Sequence, residues 1–257
     1  MKRESGLVAL LFAFTTVCVV PCHAASTWGD VQGRFVFDGE IPDPPSINRL
    51  GKTFSDDSLL VNAKNRGIAN IAVYVVPMKR GAIPIHPSHA ATANKPVDVR
   101  INEGRFIPHA FVVQTAQKLN LINEEEFSVN PVISTARNIG ANVLLQSGAR
   151  TSLTFSDIER QPARASGTVH PSLQGCVLVT DHPYATFTDS NGNFEIANMP
   201  SGEWMLQVWH ERSGFIKSVV LGGQATVWNK GKVKVHVQPG TYNMKDIRIS
   251  SKLFKTP

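Results

Sequence analysis

From Val31 to Ile249 the sequence is a succession of short runs rich in Val, Ile, Phe and Thr, cut apart by Gly, Pro, Asn and Asp. Helical periodicity is nearly absent. The runs predict strands at Val31–Phe37, Ile68–Val76, Val97–Ile101, Ala110–Gln114, Lys118–Ile122, Thr151–Phe155 and Cys176–Thr180. Further runs follow at Ala185–Thr188, Asn193–Ala197, Glu203–His210, Lys232–Val237 and Lys245–Ile249. So many strands at such close spacing predict an all-β chain packed as sandwiches. In Glu203–His210 the alternation sets Trp204, Leu206 and Val208 on one face and Met205, Gln207 and Trp209 on the other. Pro-rich Ile41–Ser46 is expected to be an extended connection, Met78–Asn94 a surface loop, and Glu124–Gly140 and Ser156–Gly167 further irregular stretches.

The N-terminus is of another kind. Lys2 and Arg3 precede an uncharged apolar run from Gly6 to Val20, and small residues at Cys22 and Ala24 fit cleavage after Ala24, the pattern of a secretory signal peptide. The run is too short to cross a bilayer comfortably, and no other segment suits a membrane span. Lipidation at Cys22 is the rival reading, although Pro21 stands where such a signal wants Gly or Ala. The chain is therefore expected to be exported, to the periplasm or outside the cell. Without residues 1–24 it keeps 24 basic and 19 acidic residues and one cysteine, Cys176, so no intramolecular disulfide can form. A net charge of +5 with no long Lys/Arg run gives no indication of a nucleic-acid partner.

The segment Thr168–Glu211, TVHPSLQGCVLVTDHPYATFTDSNGNFEIANMPSGEWMLQVWHE, carries the elements DHPY, DxxGxF, PxGxW and WHE. Upstream stand WGDVQGRFVFD at Trp28–Asp38, Pro108-His109, and VVQTAQKLNLIN ending at Asn123. Together these resemble a family of secreted bacterial cupredoxin-like proteins, and the last part is similar to small transthyretin-like, or carboxypeptidase-regulatory-like, β-sandwiches. The resemblance implies a signal peptide at 1–24, a cupredoxin-like Greek-key sandwich over 25–180 and a transthyretin-like sandwich over 181–257. It also implies where a type 1 copper site would lie. Such a site needs two imidazoles and a thiolate, often with a weak axial thioether. Val129 stands where the family's first His belongs, Gly167 replaces the Cys and Leu173 the Met, so that of the copper ligand positions only His170 is retained.

Other candidates come from residue chemistry alone. His109, His170, His182 and His210 are nitrogen donors for an altered metal site if the fold gathers them, and backbone or carboxylate partners account for them if it does not. His86 and His89 have a chelating spacing inside a Pro-rich loop. Asp189-Ser-Asn-Gly-Asn begins like a calcium loop, but Phe194 and Pro200 occupy positions where such a loop needs Gly and a bidentate acid, so a hairpin turn with Asn191-Gly192 as a type I′ pair is expected. Cys176, in an apolar run, is expected to be a buried core thiol. Glu124-Glu125-Glu126 is expected to be a solvated acidic face. Trp204, Trp209 and Tyr184 are candidates for a carbohydrate platform. No nucleophile elbow, phosphate loop or zinc-protease motif occurs. The expected function is thus a non-enzymatic, exported binding or structural module with a degenerate copper site, no cofactor, and an unidentified protein or cell-surface partner. The alternatives are a periplasmic copper-binding or electron-transfer protein and a carbohydrate-binding module.

Overall fold

The computed structural model describes residues 27–43, 46–49, 52–76, 81–170 and 173–254; the expected signal peptide lies outside them. The fold is all-β, as expected. Among the described residues four sheets of four or five strands make up the body, and Ser46–Arg49 and Lys52–Ser55 form a two-stranded hairpin.

The first sheet runs in the order Asn193–Pro200, Trp28–Asp38, Gly240–Ser250, Ser218–Leu221, Gln224–Val227. The second holds Ala185–Phe187, Ala72–Val76, Gly202–His210 and Gly214–Phe215, with Lys232–Val237 also paired to Gly202–His210. Between these two sheets lies one apolar core that includes Val31, Phe35 and Phe37 from one side and Val73, Leu206 and Val208 from the other. The third sheet, Ala141–Asn142, Pro131–Ser134, Ala163–Gly167, Gln174–Thr180 and Ala110–Gln114, faces the fourth, Arg150–Thr154, Lys118–Asn123, Val97–Asn102 and Arg105–Ile107. Their core includes Val99, Ile101, Leu119, Leu121, Val177 and Val179.

The two sandwiches meet back to back. Ala72, Tyr74 and Trp209 on the outer face of the second sheet pack against Ala110, Cys176 and Leu178 on the outer face of the third, which produces four layers joined by an apolar seam. The alternation expected for Glu203–His210 is realised here: Leu206 and Val208 enter the outer core with Trp204 packed at its margin, while Trp209 enters the seam.

The division of the chain differs from the expected one. Trp28–Asp38 pairs parallel with Gly240–Ser250 and antiparallel with Asn193–Pro200, and Ala72–Val76 pairs with Gly202–His210. Trp28–Asp38 and Ala72–Val76 therefore belong with the strands after Asp181, because their inward side chains complete that core, and the sandwich whose strands fall between Val97 and Thr180 is an insertion between Ala72–Val76 and Ala185–Phe187, neighbours in one sheet.

Two stretches expected to be irregular also hold strands, Pro131–Ser134 and Ala163–Gly167. The second is Ala-Arg-Ala-Ser-Gly, poor in β-formers, yet it pairs on both sides and its two alanines fit the closely packed core. The Asn191-Gly192 turn is not type I′: of the pair only Gly192 has positive φ (81°), and Asp189 Oδ1 accepts from the N–H groups of Asn191 and Asn193, both at 2.8 Å. A two-residue turn with both φ values positive occurs instead at Glu103-Gly104, 51° and 67°. Gly67 is required by proximity, since a Cβ there would stand 1.9 Å from the Asn191 carbonyl oxygen.

Candidate functional site

The end of the inserted sandwich that the resemblance assigns to copper is organised by Asn123, whose side chain is fully buried. Its amide donates to the carbonyls of Phe127 (2.9 Å), Leu145 (3.1 Å) and Gln146 (2.9 Å), and its Oδ1 accepts from Glu125 N–H at 3.0 Å. That pins the loop so that Val129 forms a bridge with Leu145 and turns its side chain into the core, where it is 2% exposed. From the other side Leu173 enters the same core, 1% exposed. Gly167 closes the gap: its N–H donates to Leu173 O (3.0 Å), Leu173 N–H donates to His170 O (2.9 Å), and a Cβ on Gly167 would lie 2.6 Å from that His170 oxygen.

Three of the four ligand positions are thus occupied by apolar packing or by backbone in van der Waals contact, and they offer no donor to a metal. His170 itself is only partly exposed, with its ring against the edge of Phe127 at 5.3 Å. The residues present do not fit a type 1 copper centre. Among the described residues no group of three or more His, Cys, Asp or Glu is placed to hold a metal ion.

The structure separates the other histidines. His182 is buried, its Nε2 on the Val75 carbonyl at 3.1 Å and its Nδ1 accepting from Tyr184 N–H at 3.2 Å; burial lowers its pKa. His210 lies wholly inside the outer sandwich against Phe254, with Nδ1 accepting from Arg212 N–H, and burial foremost, then the charges of His109 and Arg212, push its pKa down to about 3. His109 pairs through Nε2 with Glu211 Oε1 at 2.6 Å. His86 Nδ1 accepts from Ser88 N–H, and His89 Nε2 bonds the Ala197 carbonyl. These five rings therefore answer to backbone groups or a carboxylate.

Cys176 lies in the seam, 2% exposed, as expected for a core thiol; burial, and secondarily the carboxylate of Glu211, raise its pKa well above the usual thiol value. Held neutral, it is a poor nucleophile and a poor metal ligand. The acidic run departs from expectation in its middle residue. Glu124 and Glu126 are exposed, but Glu125 is buried and accepts from Gly104 N–H at 2.6 Å, which fixes the Glu103-Gly104 turn. Nor do the aromatics form a platform, since Tyr184 is fully buried and Trp209 is 9% exposed.

What sequence reasoning missed is the seam. Two clefts open along it. One, of about 700 Å³, has Cys176 and Trp209 in its wall with Glu211, Arg212 and Asp56 around them. Arg212 is tied there to Asp56 (3.5 Å) and Ser58 Oγ (3.2 Å). The other, of about 490 Å³, lies between Tyr74, Val76 and Phe215 and the cationic side chains Arg160, Lys230 and Lys232. Glu159 borders both and is committed to structure: its carboxylate accepts from the N–H groups of Ala136, Arg137 and Asn138. Burial opposes its charge, but those bonds and the Asn138 amide prevail and lower its pKa. No signal in the linear sequence brings these segments together.

No family model matches the chain, and no curated protein matches it. Among solved structures, it is similar to variants of amicyanin in copper-bound states. One of them, a Cu(I) form, is 19% identical over 33% of this chain and 81% of that one, with a TM-score of 0.30. Another Cu(I) form is 18% identical over 42% of this chain and 97% of that one, also at a TM-score of 0.30. A copper-containing nitrite reductase from Thermus scotoductus is 17% identical over 41% of this chain and 25% of its own, at the same TM-score.

Proposed function

We propose that this protein is an exported, non-enzymatic binding or structural module in which a degenerate copper end has become part of the core. The observation that carries this reading is the packing of Val129 and Leu173, with Gly167 closed against His170 O, at positions where the resemblance would put ligands. Export rests on the Lys2-Arg3 charge, the apolar run and the small residues before Ala25. A neutral, buried Cys176 and histidines bonded to backbone or to Glu211 support a role without catalysis or electron transfer. The work of such a module is to present surfaces and clefts to a protein or cell-surface partner, and the seam offers two of them. The test is titration of the purified chain, lacking residues 1–24, with Cu(II). No intense visible thiolate-to-copper band and no tight calorimetric binding are expected. A strong blue colour, or tight copper binding lost in His170→Ala, would overturn the reading in favour of a copper protein.

A further inference from the structure

The smaller seam cleft combines features that a mere packing defect does not. Its floor is apolar, from Tyr74, Val76 and Phe215 on the seam face of the second sheet, while Arg160, Lys230 and Lys232 bring three positive charges to its rim. Among the described residues none of these three takes part in an ion pair.

The cations come from two segments, one at Arg160 and the other at Lys230–Lys232, and residues lining the cleft hold each in place. Val233 and Val235 pack toward the outer core, so alternation turns Lys232 onto the seam face, where it stands cross-strand from Gln207. Gln207, buried, donates its side-chain N–H to the Lys230 carbonyl at 2.9 Å, and Lys230 is held at φ 54°, a left-handed conformation uncommon for a residue with a Cβ. Tyr74, cross-strand from Gln207 on the other side, donates its hydroxyl to the Arg160 carbonyl at 2.9 Å. Backbone geometry thus places the cations, and their side chains are left to the cleft.

The carboxylates at the same cleft are Glu159 and Asp181. Glu159 is occupied by the N–H groups of residues 136–138. Asp181 is exposed and stands beside buried His182. The balance at the rim stays positive. A volume of about 490 Å³ is in the range of small-molecule sites.

We infer that this cleft binds a small organic anion, an aromatic or branched apolar body on the Tyr74–Val76–Phe215 floor with its carboxylate, sulfonate or phosphate met by Arg160, Lys230 and Lys232. The inference deepens the binding-module reading and rests on it. Its ligand is defined by two requirements at once, since inorganic anions lack the body and neutral apolar molecules lack the charge.

The probe is 8-anilinonaphthalene-1-sulfonate, titrated by fluorescence into the folded chain lacking residues 1–24, beside uncharged N-phenyl-1-naphthylamine. One sulfonate probe per chain is expected, weakened by added salt, displaced by benzoate at lower concentration than by inorganic phosphate. The neutral analogue should bind at least tenfold more weakly. Arg160→Glu/Lys232→Glu, two exposed positions, should lose at least tenfold in affinity with an unchanged circular dichroism spectrum and melting midpoint. Lys234→Glu, on the same strand but outside the cleft, should lose little. Equal affinity for the neutral analogue, an unaffected double variant, or the same loss in Lys234→Glu would overturn the site. These results are independent of the copper titration, so failure of the cleft and failure of the functional reading are told apart.

Discussion

If Leu173 has become core at a former ligand position, truncating it should cost what a core leucine costs. Leu173→Ala removes three carbon equivalents from a side chain that is 1% exposed. At about 0.8 kcal/mol each, transfer alone gives about 2.4 kcal/mol. The cavity left among well-packed neighbours raises the total to about 3 to 4 kcal/mol. The neighbours that would have to collapse into the gap are strands fixed on both sides, such as Ala163–Gly167, so relaxation is restricted. His170→Ala loses one edge-to-ring contact with Phe127, a matter of about 0.5 to 1 kcal/mol. The assay is urea unfolding followed by intrinsic fluorescence and circular dichroism. With a slope in the usual range of about 1 to 3 kcal/mol per molar, Leu173→Ala should lower the midpoint by roughly 1 to 4 M, at unchanged slope. A cost under about 1 kcal/mol for Leu173→Ala, or a larger one for His170→Ala, would refute the idea that this end is held by apolar packing.

Cys176, buried in the seam with its pKa raised, should resist an aromatic disulfide reagent at pH 8 until denaturant is added; rapid labelling of the native chain would contradict its placement. His210 stays neutral in the folded chain to about pH 3, whereas an unfolded imidazole takes up a proton below about 6.5. Its contribution to stability is therefore complete above pH 6.5 and is lost as the pH falls from there toward 3, by up to about 1.4 kcal/mol per pH unit. His210→Gln should show a shallower decline between pH 6 and 4 in denaturant midpoints, and coincident slopes would sink the assignment. Glu159→Gln replaces one acceptor oxygen facing the N–H groups of residues 136–138 by a donor, so a loss of about 1 to 3 kcal/mol is expected, with faster amide exchange at those residues as the local signature.

What the linear sequence disclosed and what it hid follow from the range of the interactions involved. The alternation in Glu203–His210 is local, and it assigned Leu206 and Val208 to one layer and Trp209 to another. The failure of the copper positions was legible too, because valine, glycine and leucine lack a donor whatever fold surrounds them. Strand partners were not. The parallel pairing of Trp28–Asp38 with Gly240–Ser250 joins opposite ends of the chain, and no periodicity within either run names the other. The division of the sandwiches was misplaced for that reason. Glu125 was misread because its acceptor role depends on the Gly104 turn, twenty-one residues away. The cleft cations Arg160, Lys230 and Lys232 converge only once the insertion has docked.

The insertion also bears on the order of assembly. Ala185 pairs with Tyr74, so the strands that flank the inserted sandwich are neighbours in space while the hundred or so residues of the insertion lie between them in sequence. Were those residues unfolded, bringing Val76 to Ala185 would carry the closure entropy of a long loop. Once they are folded, the loop is short, and each tenfold reduction in its effective length recovers about 2 kcal/mol. The inserted sandwich draws its strands from one continuous stretch, whereas the outer one needs residues near both termini. As the strands become available in N-to-C order, the inner unit is therefore complete before the outer one has all its strands, and until Gly240–Ser250 arrives, Trp28–Asp38 has one edge open to unwanted partners.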